Sequence, residues 1–159
     1  MRWLHVILPL MLLALVACDD NSCYDNGSAL PLVRFYKSGT TQQVTLDGVT
    51  IRGVDAPGDS VLVDSSAVSE VYLPLRVSAN STQWVLEYGG ETELADTITL
   101  QYRSVPYFSS AECGAMYNFE LSSVTSTRYV IDSIAIAKPV IDNGTDVAIR
   151  LFFPVTNEY

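Results

Sequence analysis

Beyond its N-terminal stretch, the chain lacks histidine, the side chain that most nucleophilic enzymes use as a base. Its single histidine, His5, lies in an apolar N-terminal stretch, so the rest of the chain offers no imidazole to activate a Ser or Cys nucleophile. The same shortage removes the usual zinc sites, which combine His and Cys. Neither Lys37 nor Lys138 stands at Ser-x-x-Lys spacing. The sequence therefore predicts no catalytic residue, no bound metal and no cofactor.

Carboxylate pairs are the remaining route to catalysis, because a glycosidase needs only two of them. The acidic residues are scattered along predicted strands and in the loop over residues 89–95. A solvated face is therefore the favoured interpretation, and a carboxylate-based glycan hydrolase is the alternative. The residues concerned are Asp64, Glu70, Glu87, Glu91, Glu93, Asp96, Glu112 and Glu120.

Two further segments carry polar groups of interest. Residues 142–146 offer several oxygens in one loop, as calcium prefers, but no distal Glu follows, so an ordinary turn is favoured. Three Asp-Ser/Thr-aliphatic triplets resemble the O-glycosylation pattern of exported Bacteroidota proteins. Their acceptors would be Ser60, Thr97 and Ser133.

Aromatic residues are the candidates for binding. Most are expected to fill the core, since they supply large buried areas. Tyr107 and Phe108 follow Pro106 in a segment predicted to be a loop. An exposed aromatic pair there would suit a partner protein or a glycan.

The N-terminal segment predicts export. Arg2 precedes an apolar stretch over residues 6–16, shorter than the roughly 20 residues that a membrane-spanning helix needs. The layout is that of a secretory signal, and Leu15-Val16-Ala17-Cys18 resembles the lipobox of bacterial lipoproteins. We expect residues 1–17 to be a signal peptide and Cys18 to be lipidated. An ordinary signal with a chance cysteine is the alternative.

The residues after Cys18 fit a tether. Residues 18–29 are polar and acidic, which predicts a flexible linker, and residues 30–159 then form a single domain. Asp19 and Asp20 resemble the surface-export signal of Bacteroidota lipoproteins. We expect a lipid-anchored protein of the cell envelope, at the outer membrane on its periplasmic or surface face.

The cysteine count predicts one disulfide bond. With Cys18 lipidated, Cys23 and Cys113 form the one remaining pair, which an exported compartment allows to oxidise to a disulfide; two free thiols are the alternative.

The net charge narrows the classes of binding partner. Loss of Arg2 with the signal leaves 142 residues with 8 basic and 18 acidic side chains, a net charge of −10. That charge disfavours nucleic acid and anionic lipid beyond the anchor.

Short alternating segments predict an all-β domain. Val, Ile, Thr and Tyr alternate with polar residues between Gly, Pro, Asn and Asp breakers, and no window has helical period. Pro74 marks an edge or a bulge, because proline lacks the donor that a central strand needs. An antiparallel β-sandwich of about seven to nine strands is predicted, with an immunoglobulin-like form among its variants and a closed barrel as the alternative. The predicted strands are 30–37, 43–53, 60–63, 70–78, 83–88, 97–103, 116–121, 130–136 and 147–153.

Asp47-Gly48 is the clearest local signal. This dipeptide favours the type I′ turn of a two-residue hairpin, where both central residues need positive φ. Such a turn would place Leu46 opposite Val49 and Val44 opposite Ile51 on one face. The sequence therefore predicts a hairpin within residues 43–53.

The order of features resembles a family of Bacteroidota lipoproteins with a domain of unknown function. The resemblance rests on Cys18, Cys23, the Asp96–Tyr102 segment and Cys113-Gly114, with Arg34-Phe35-Tyr36, Leu73-Pro74-Leu75 and Ile149-Arg150-Leu151-Phe152 as further matches. It implies lipidation and a β-rich fold and assigns no functional residue. The sequence thus predicts a non-enzymatic envelope domain, tethered to the membrane, that binds an envelope protein or a glycan or serves as an accessory.

Overall fold

The computed structural model describes residues 29–55, 60–89, 91–110 and 114–154. Within them the chain forms ten β-strands and no helix, somewhat more strands than the seven to nine expected. The strands are β1 Leu32–Lys37, β2 Leu46–Gly53, β3 Val61–Val68, β4 Glu70–Tyr72, β5 Ser81–Tyr88, β6 Glu91–Ser110, β7 Gly114–Ser126, β8 Ser133–Ile136, β9 Val140–Ile141 and β10 Val147–Phe153.

The strands form two sheets that pack as a sandwich. One sheet has the order β4-β1-β10-β8, and the other has the order β3-β2-β5-β6-β7-β9. No described strand belongs to both sheets, so the arrangement is a sandwich rather than a closed barrel. Apolar residues from both sheets join in one core, in which Phe35, Ile51, Leu100, Phe119 and Leu151 are fully buried. The all-β sandwich prediction is confirmed.

One pair of strands departs from the expected antiparallel pattern. Strand β1 runs parallel to β10, with Leu32 beside Val147 and Lys37 beside Phe153. Parallel neighbours need a long connection, and here almost the whole domain lies between them. The four-stranded sheet is therefore mixed, and the expectation of a wholly antiparallel sandwich was wrong at this pair.

Asp47-Gly48 forms a bulge, not a hairpin turn. Strand β2 continues through both residues, and Leu46 pairs with Val68 while Val49 pairs with Ser66. Three steps along β2 thus match two along β3, and Gly48 has φ +67°. A bulge of this kind needs glycine in the left-handed region, as the predicted turn does. The hairpin prediction was wrong because a positive φ at glycine suits both a two-residue hairpin turn and a bulge of this kind.

Pro74 lies where a strand ends at an edge. Strand β4 covers only Glu70–Tyr72 and pairs with β1 alone. The chain then crosses from the four-stranded to the six-stranded sheet. The predicted edge position is confirmed, although the strand is shorter than residues 70–78.

Strand β6 is the longest element and sets the layout of the molecule. Its residues 91–101 pair with β5, and its residues 98–110 pair with β7 as far as Ser110 and Gly114. The pairing with β5 ends at Ser81 and Gln101. Between Asp96 and Phe108 the strand spans about 40 Å at the usual rise per residue. The two ends of the sandwich are therefore well separated.

Candidate binding site

Asp96 is a buried carboxylate that holds a loop. Its side chain has no solvent exposure. Oδ1 accepts hydrogen bonds from Thr127 Oγ1 at 2.7 Å and from the backbone N–H of Tyr129 at 2.8 Å. Oδ2 accepts from the backbone N–H groups of Val130 and Ile131, both at 2.8 Å. A carboxylate buried in this way has its acceptor capacity well used, as burial of a charge requires.

The loop at residues 127–131 is fixed at both its ends. At its start, the N–H of Thr127 donates to Thr97 O at 3.0 Å, and at its end Val130 and Ile131 are buried in the core. The Tyr88 hydroxyl also donates to Oδ2 of Asp96, at 3.3 Å. Between these anchors, Arg128 is exposed and Tyr129 is 73% exposed. The fold thus holds the loop by hydrogen bonds and burial and leaves an arginine and a tyrosine facing solvent. We call residues 127–131 the 127–131 loop.

This loop lies at the end of the sandwich where β1 finishes. The hydroxyl of Ser38, directly after β1, donates to Oδ2 of Asp132 at 2.8 Å. The N–H of Ser38 also donates to Phe153 O, near the end of β10. The entry into β1 is at the other end, because Leu32 lies beside Val147 at the start of β10.

Burial of Asp96 corrects the expectation of a solvated acidic face. Glu87 is also largely buried and forms an ion pair with Arg52 across β2 and β5. Glu70 and Glu120 do lie at the surface, paired with Arg34 and Arg103. A signal for Asp96 was present in the sequence. It stands two residues before Ile98 in the alternating series Ile98, Leu100 and Tyr102, whose side chains face the core.

Tyr107 and Phe108 do not form one aromatic patch. Both lie in β6 rather than in a loop, and Tyr107 pairs with Met116 while Phe108 pairs with Ala115. Successive residues of a strand point to opposite faces. The expected loop position was therefore wrong, and the two side chains point to opposite faces of β6.

The two side chains have different surroundings. Tyr107 is half-buried, and its hydroxyl accepts from Asn143 Nδ2 at 3.3 Å and lies 3.8 Å from Met116 Sδ. Phe108 is 73% exposed. It shares a face with Pro106 and Tyr117, a face that continues from Phe119 in the core.

Residues 105–110 and 114–118 form a two-stranded projection, which we call the β6–β7 arm. In this stretch β6 and β7 pair with each other and with no other described strand. Pro106 is tolerated there because its missing N–H faces away from the ladder. The arm lies at the end of β6 opposite to Asp96.

A shallow cleft of about 470 Å³ opens where β5 begins beside β6. The hydroxyl of Ser104 donates to Val77 O at 2.9 Å, and the N–H of Tyr102 donates to Asn80 O at 2.9 Å. The Tyr102 hydroxyl donates to Arg76 O, also at 2.9 Å. The lining has no carboxylate; it consists of Val77, Ser78, Ala79, Asn80, Tyr102, Arg103 and Ser104.

Lys138 occupies the position that a cation would take in the loop after β9. Its Nζ lies 3.0 Å from both oxygens of Asp142 and 3.0 Å from Oδ2 of Asp146. Hydrogen bonding to Lys138 lowers the pKa of Asp142, and the N–H of Gly144 adds to this effect. The Asp142–Gly144 hydrogen bond is that of an Asx turn, so the turn interpretation is confirmed.

Several predicted residues fall outside or at the margin of the described chain. Cys18, Cys23 and Cys113 lie outside the described residues, as do the signal peptide and most of the tether. Among the candidate acceptors, Ser60 is exposed, and Thr97 and Ser133 are half-buried. The described ranges contain no helix able to cross a membrane and no grouping of three or more His, Cys, Asp or Glu suited to a metal ion.

Comparison with known proteins finds one family. Residues 48–153 match the model described as "Family of unknown function (DUF6452)", which extends from β2 to the end of β10. Strand β1 precedes the matched region, although it lies between β4 and β10 in the sheet. No curated protein and no solved structure matches the chain.

Proposed function

The chain belongs to DUF6452, a family of unknown function, and we propose that this member is an exported, lipid-anchored domain that works by binding. Cys18 carries the anchor, the 127–131 loop recognises a protein of the cell envelope, and no bond is made or broken. The envelope is that of a Bacteroidota-type cell, and the anchor lies in the outer membrane. The observation that carries the binding role is the fully buried Asp96 holding a loop that exposes Tyr129.

The anchor is supported by the N-terminal residues, and the direction of β1 places the 127–131 loop relative to it. Leu15-Val16-Ala17-Cys18 has the order of a lipobox. The described chain enters the sandwich at the start of β1, and the 127–131 loop lies beyond the opposite end of that strand. On a domain held by Cys18, the 127–131 loop would therefore lie at the end of the sandwich farther from the point where the tether enters.

The loop has the properties of a protein-recognition surface. Tyr and Arg are the residue types most enriched where interfaces gain their energy. Four hydrogen bonds from the loop to Asp96 fix the backbone before any partner arrives. Less conformational entropy is then lost on association, which favours affinity.

The rival hydrolase finds less support in the described residues. A glycosidase needs one carboxylic acid whose pKa is raised so that it can donate a proton. The pKa of Asp142 is shifted downwards by Lys138, and Asp96 is enclosed by its hydrogen bonds. The cleft at residues 77–80 and 102–104 has no carboxylate in its lining. Glycan binding keeps one supporting feature, because an exposed tyrosine ring such as that of Tyr129 can stack on a sugar.

Crosslinking in intact cells, followed by pull-down and mass spectrometry, tests the binding role. We expect the wild-type protein to capture an envelope protein reproducibly, and Tyr129→Ala to lose most of that capture. Tyr72→Ala is the matched control, because Tyr72 is a partly exposed tyrosine on β4, away from the loop. Equal loss with both variants, or no loss with Tyr129→Ala, would reject the loop as the binding surface. Failure to capture a protein, together with glycan-array signal lost in Tyr129→Ala, would establish the glycan alternative.

Cell fractionation tests the anchor separately. Cys18→Ala should abolish incorporation of radiolabelled palmitate, and the wild-type protein should fractionate with membranes. A cleaved wild-type protein found in the soluble fraction would end the lipid proposal.

A further inference from the structure

We propose that the β6–β7 arm rests on the bilayer to which the protein is anchored, with Phe108 inserted at the level of the lipid headgroups. This inference rests on the lipid anchor of the proposed function and adds a second, non-covalent membrane contact. It assigns the arm and the 127–131 loop to opposite surroundings: lipid for the arm and a partner for the loop.

The first support is the position at which the anchored segment enters the domain. Leu30 borders the loop after β9, near Asp142 and Asp146. Asn143, in that same loop, donates a hydrogen bond to Tyr107 on the arm. The entry of the chain and the root of the arm therefore share one end of the sandwich.

The reach of the tether is compatible with this contact. Ten residues separate Cys18 from Ala29, a segment that spans at most about 40 Å when fully extended. The six arm residues 105–110 extend about 20 Å at the usual strand rise. The tether is thus long enough for the arm to stand between the sandwich and the bilayer.

The second support is the chemistry of the arm. Its two strands, residues 105–110 and 114–118, include no Asp, Glu, Lys or Arg, in a chain of which 17% of the residues are charged. Glu112, between the two strands, lies outside the described residues. The face that continues from the core places Pro106, Ala115 and Tyr117 next to the exposed Phe108. Aromatic side chains favour the membrane–water interface, where their apolar rings meet the headgroup region.

Charge favours lipid contact through the arm over contact through the body of the domain. The chain has a formal net charge of −9, so anionic headgroups repel the sandwich as a whole. The two strands of the arm carry no charged side chain, so they can approach such a surface with less repulsion than the body of the domain. By contrast, the far end presents Arg128 beside Tyr129 and suits a polar partner.

Fluorescence quenching by brominated lipids tests the proposal with the full lipidated protein. The protein is reconstituted into vesicles of phosphatidylethanolamine and phosphatidylglycerol with brominated acyl chains, as the wild type, as Phe108→Trp and as Tyr129→Trp. The last two sites have the same 73% exposure at opposite ends, so each controls for the other. Trp84 is buried and supplies a common background. We expect Phe108→Trp emission to shift to the blue and to be quenched, and Tyr129→Trp to be quenched no more than the wild type.

Vesicle flotation in the same samples separates the two proposals. Protein that floats with vesicles while Phe108→Trp remains unquenched keeps the anchor and overturns the arm contact. Protein that does not float overturns the anchor and the arm contact together. If Phe108→Ser abolishes the capture of an envelope protein, while Phe108→Trp is unquenched, the arm is a protein-binding surface and the inference is wrong.

Discussion

The backbone N–H of Tyr129 donates a 2.8 Å hydrogen bond to Oδ1 of Asp96, which joins a residue 73% exposed to one with no exposure at all. The proposed recognition surface, the 127–131 loop, is thereby hydrogen-bonded directly to the core. Strand β6 supplies the carboxylate, and the chain following β7 supplies the donors. Consequently, changes made at Asp96 inside the core should alter what the surface presents.

Asp96→Asn should destabilise the domain by about 2–4 kcal/mol, because an amide places N–H donors against the loop N–H groups and leaves buried groups unsatisfied. Urea unfolding of both proteins measures the difference. Asp132→Asn is the control: Asp132 is exposed and accepts from Ser38, so its loss should stay within about 0.5 kcal/mol. Similar values for the two variants would show that Asp96 does not hold the 127–131 loop.

Gly48→Ala should cost about 1–2 kcal/mol, because an alanine at φ +67° is strained in the left-handed region. Space is not the reason, since an added Cβ would lie 3.5 Å from Gly89 Cα, an ordinary contact. Gly48→Asn should cost less, as asparagine tolerates this conformation. Thermal unfolding of the three proteins gives the ranking, and an equal loss in both variants would contradict a conformational cause.

The Lys138–Asp142–Asp146 cluster should stabilise the protein over a defined pH range. The folded-state pKa of Asp142 is lowered from 3.8, mainly by Lys138, so its contribution is complete above about pH 4 and is lost as pH falls through the folded value. The pKa of Lys138 is raised from 10.5, mainly by Asp142, so its contribution is lost only as pH rises through the folded value, above 10.5.

The difference in unfolding free energy between the wild type and Lys138→Gln measures this range. It should be constant near neutral pH, shrink in acid and shrink with added salt, which screens exposed ion pairs. Lys37→Gln removes an equal charge at the last residue of β1, away from the Lys138 loop, which borders Leu30 before β1, and serves as the control. A difference that grows in acid would have the wrong sign for this cluster.

Cys23 and Cys113 should be joined in the exported protein. Thiol alkylation under denaturing conditions, followed by intact-mass measurement, should show no alkylated cysteine before reduction and two after it. A Cys23→Ser variant should gain one alkylatable thiol without reduction, because the partner is then left alone. Two alkylated thiols in the unreduced wild type would establish free cysteines instead.

Local pattern was sufficient for much of the fold. Alternation of apolar and polar residues has the period of a strand, so the predicted strand 147–153 has the same bounds as β10. Pro74 predicted a sheet edge because proline lacks a backbone N–H donor. The sequence alone also shows that His5 is the single histidine. These are properties of single residues or of neighbours, and they need no distant contact.

The candidate sites required tertiary structure because their partners are distant along the chain. As a charged residue, Asp96 is predicted to face water, yet it is buried because five hydrogen bonds offset the cost of removing its charge from water. One donor lies on β5, and the other four are more than thirty residues away along the chain. Tyr107 and Phe108 were assigned to a loop because Pro106 precedes them, but β6 runs through that proline at a position where no described strand faces its nitrogen.

Asp47-Gly48 shows the limit most directly. The sequence determined that the backbone would adopt positive φ at Gly48, since that conformation is a local property of glycine. Whether the positive φ reverses the chain or bulges it depends on which strand lies alongside. The packing of β3 against β2 made it a bulge, because pairing between distant segments is decided by the core that both strands bury.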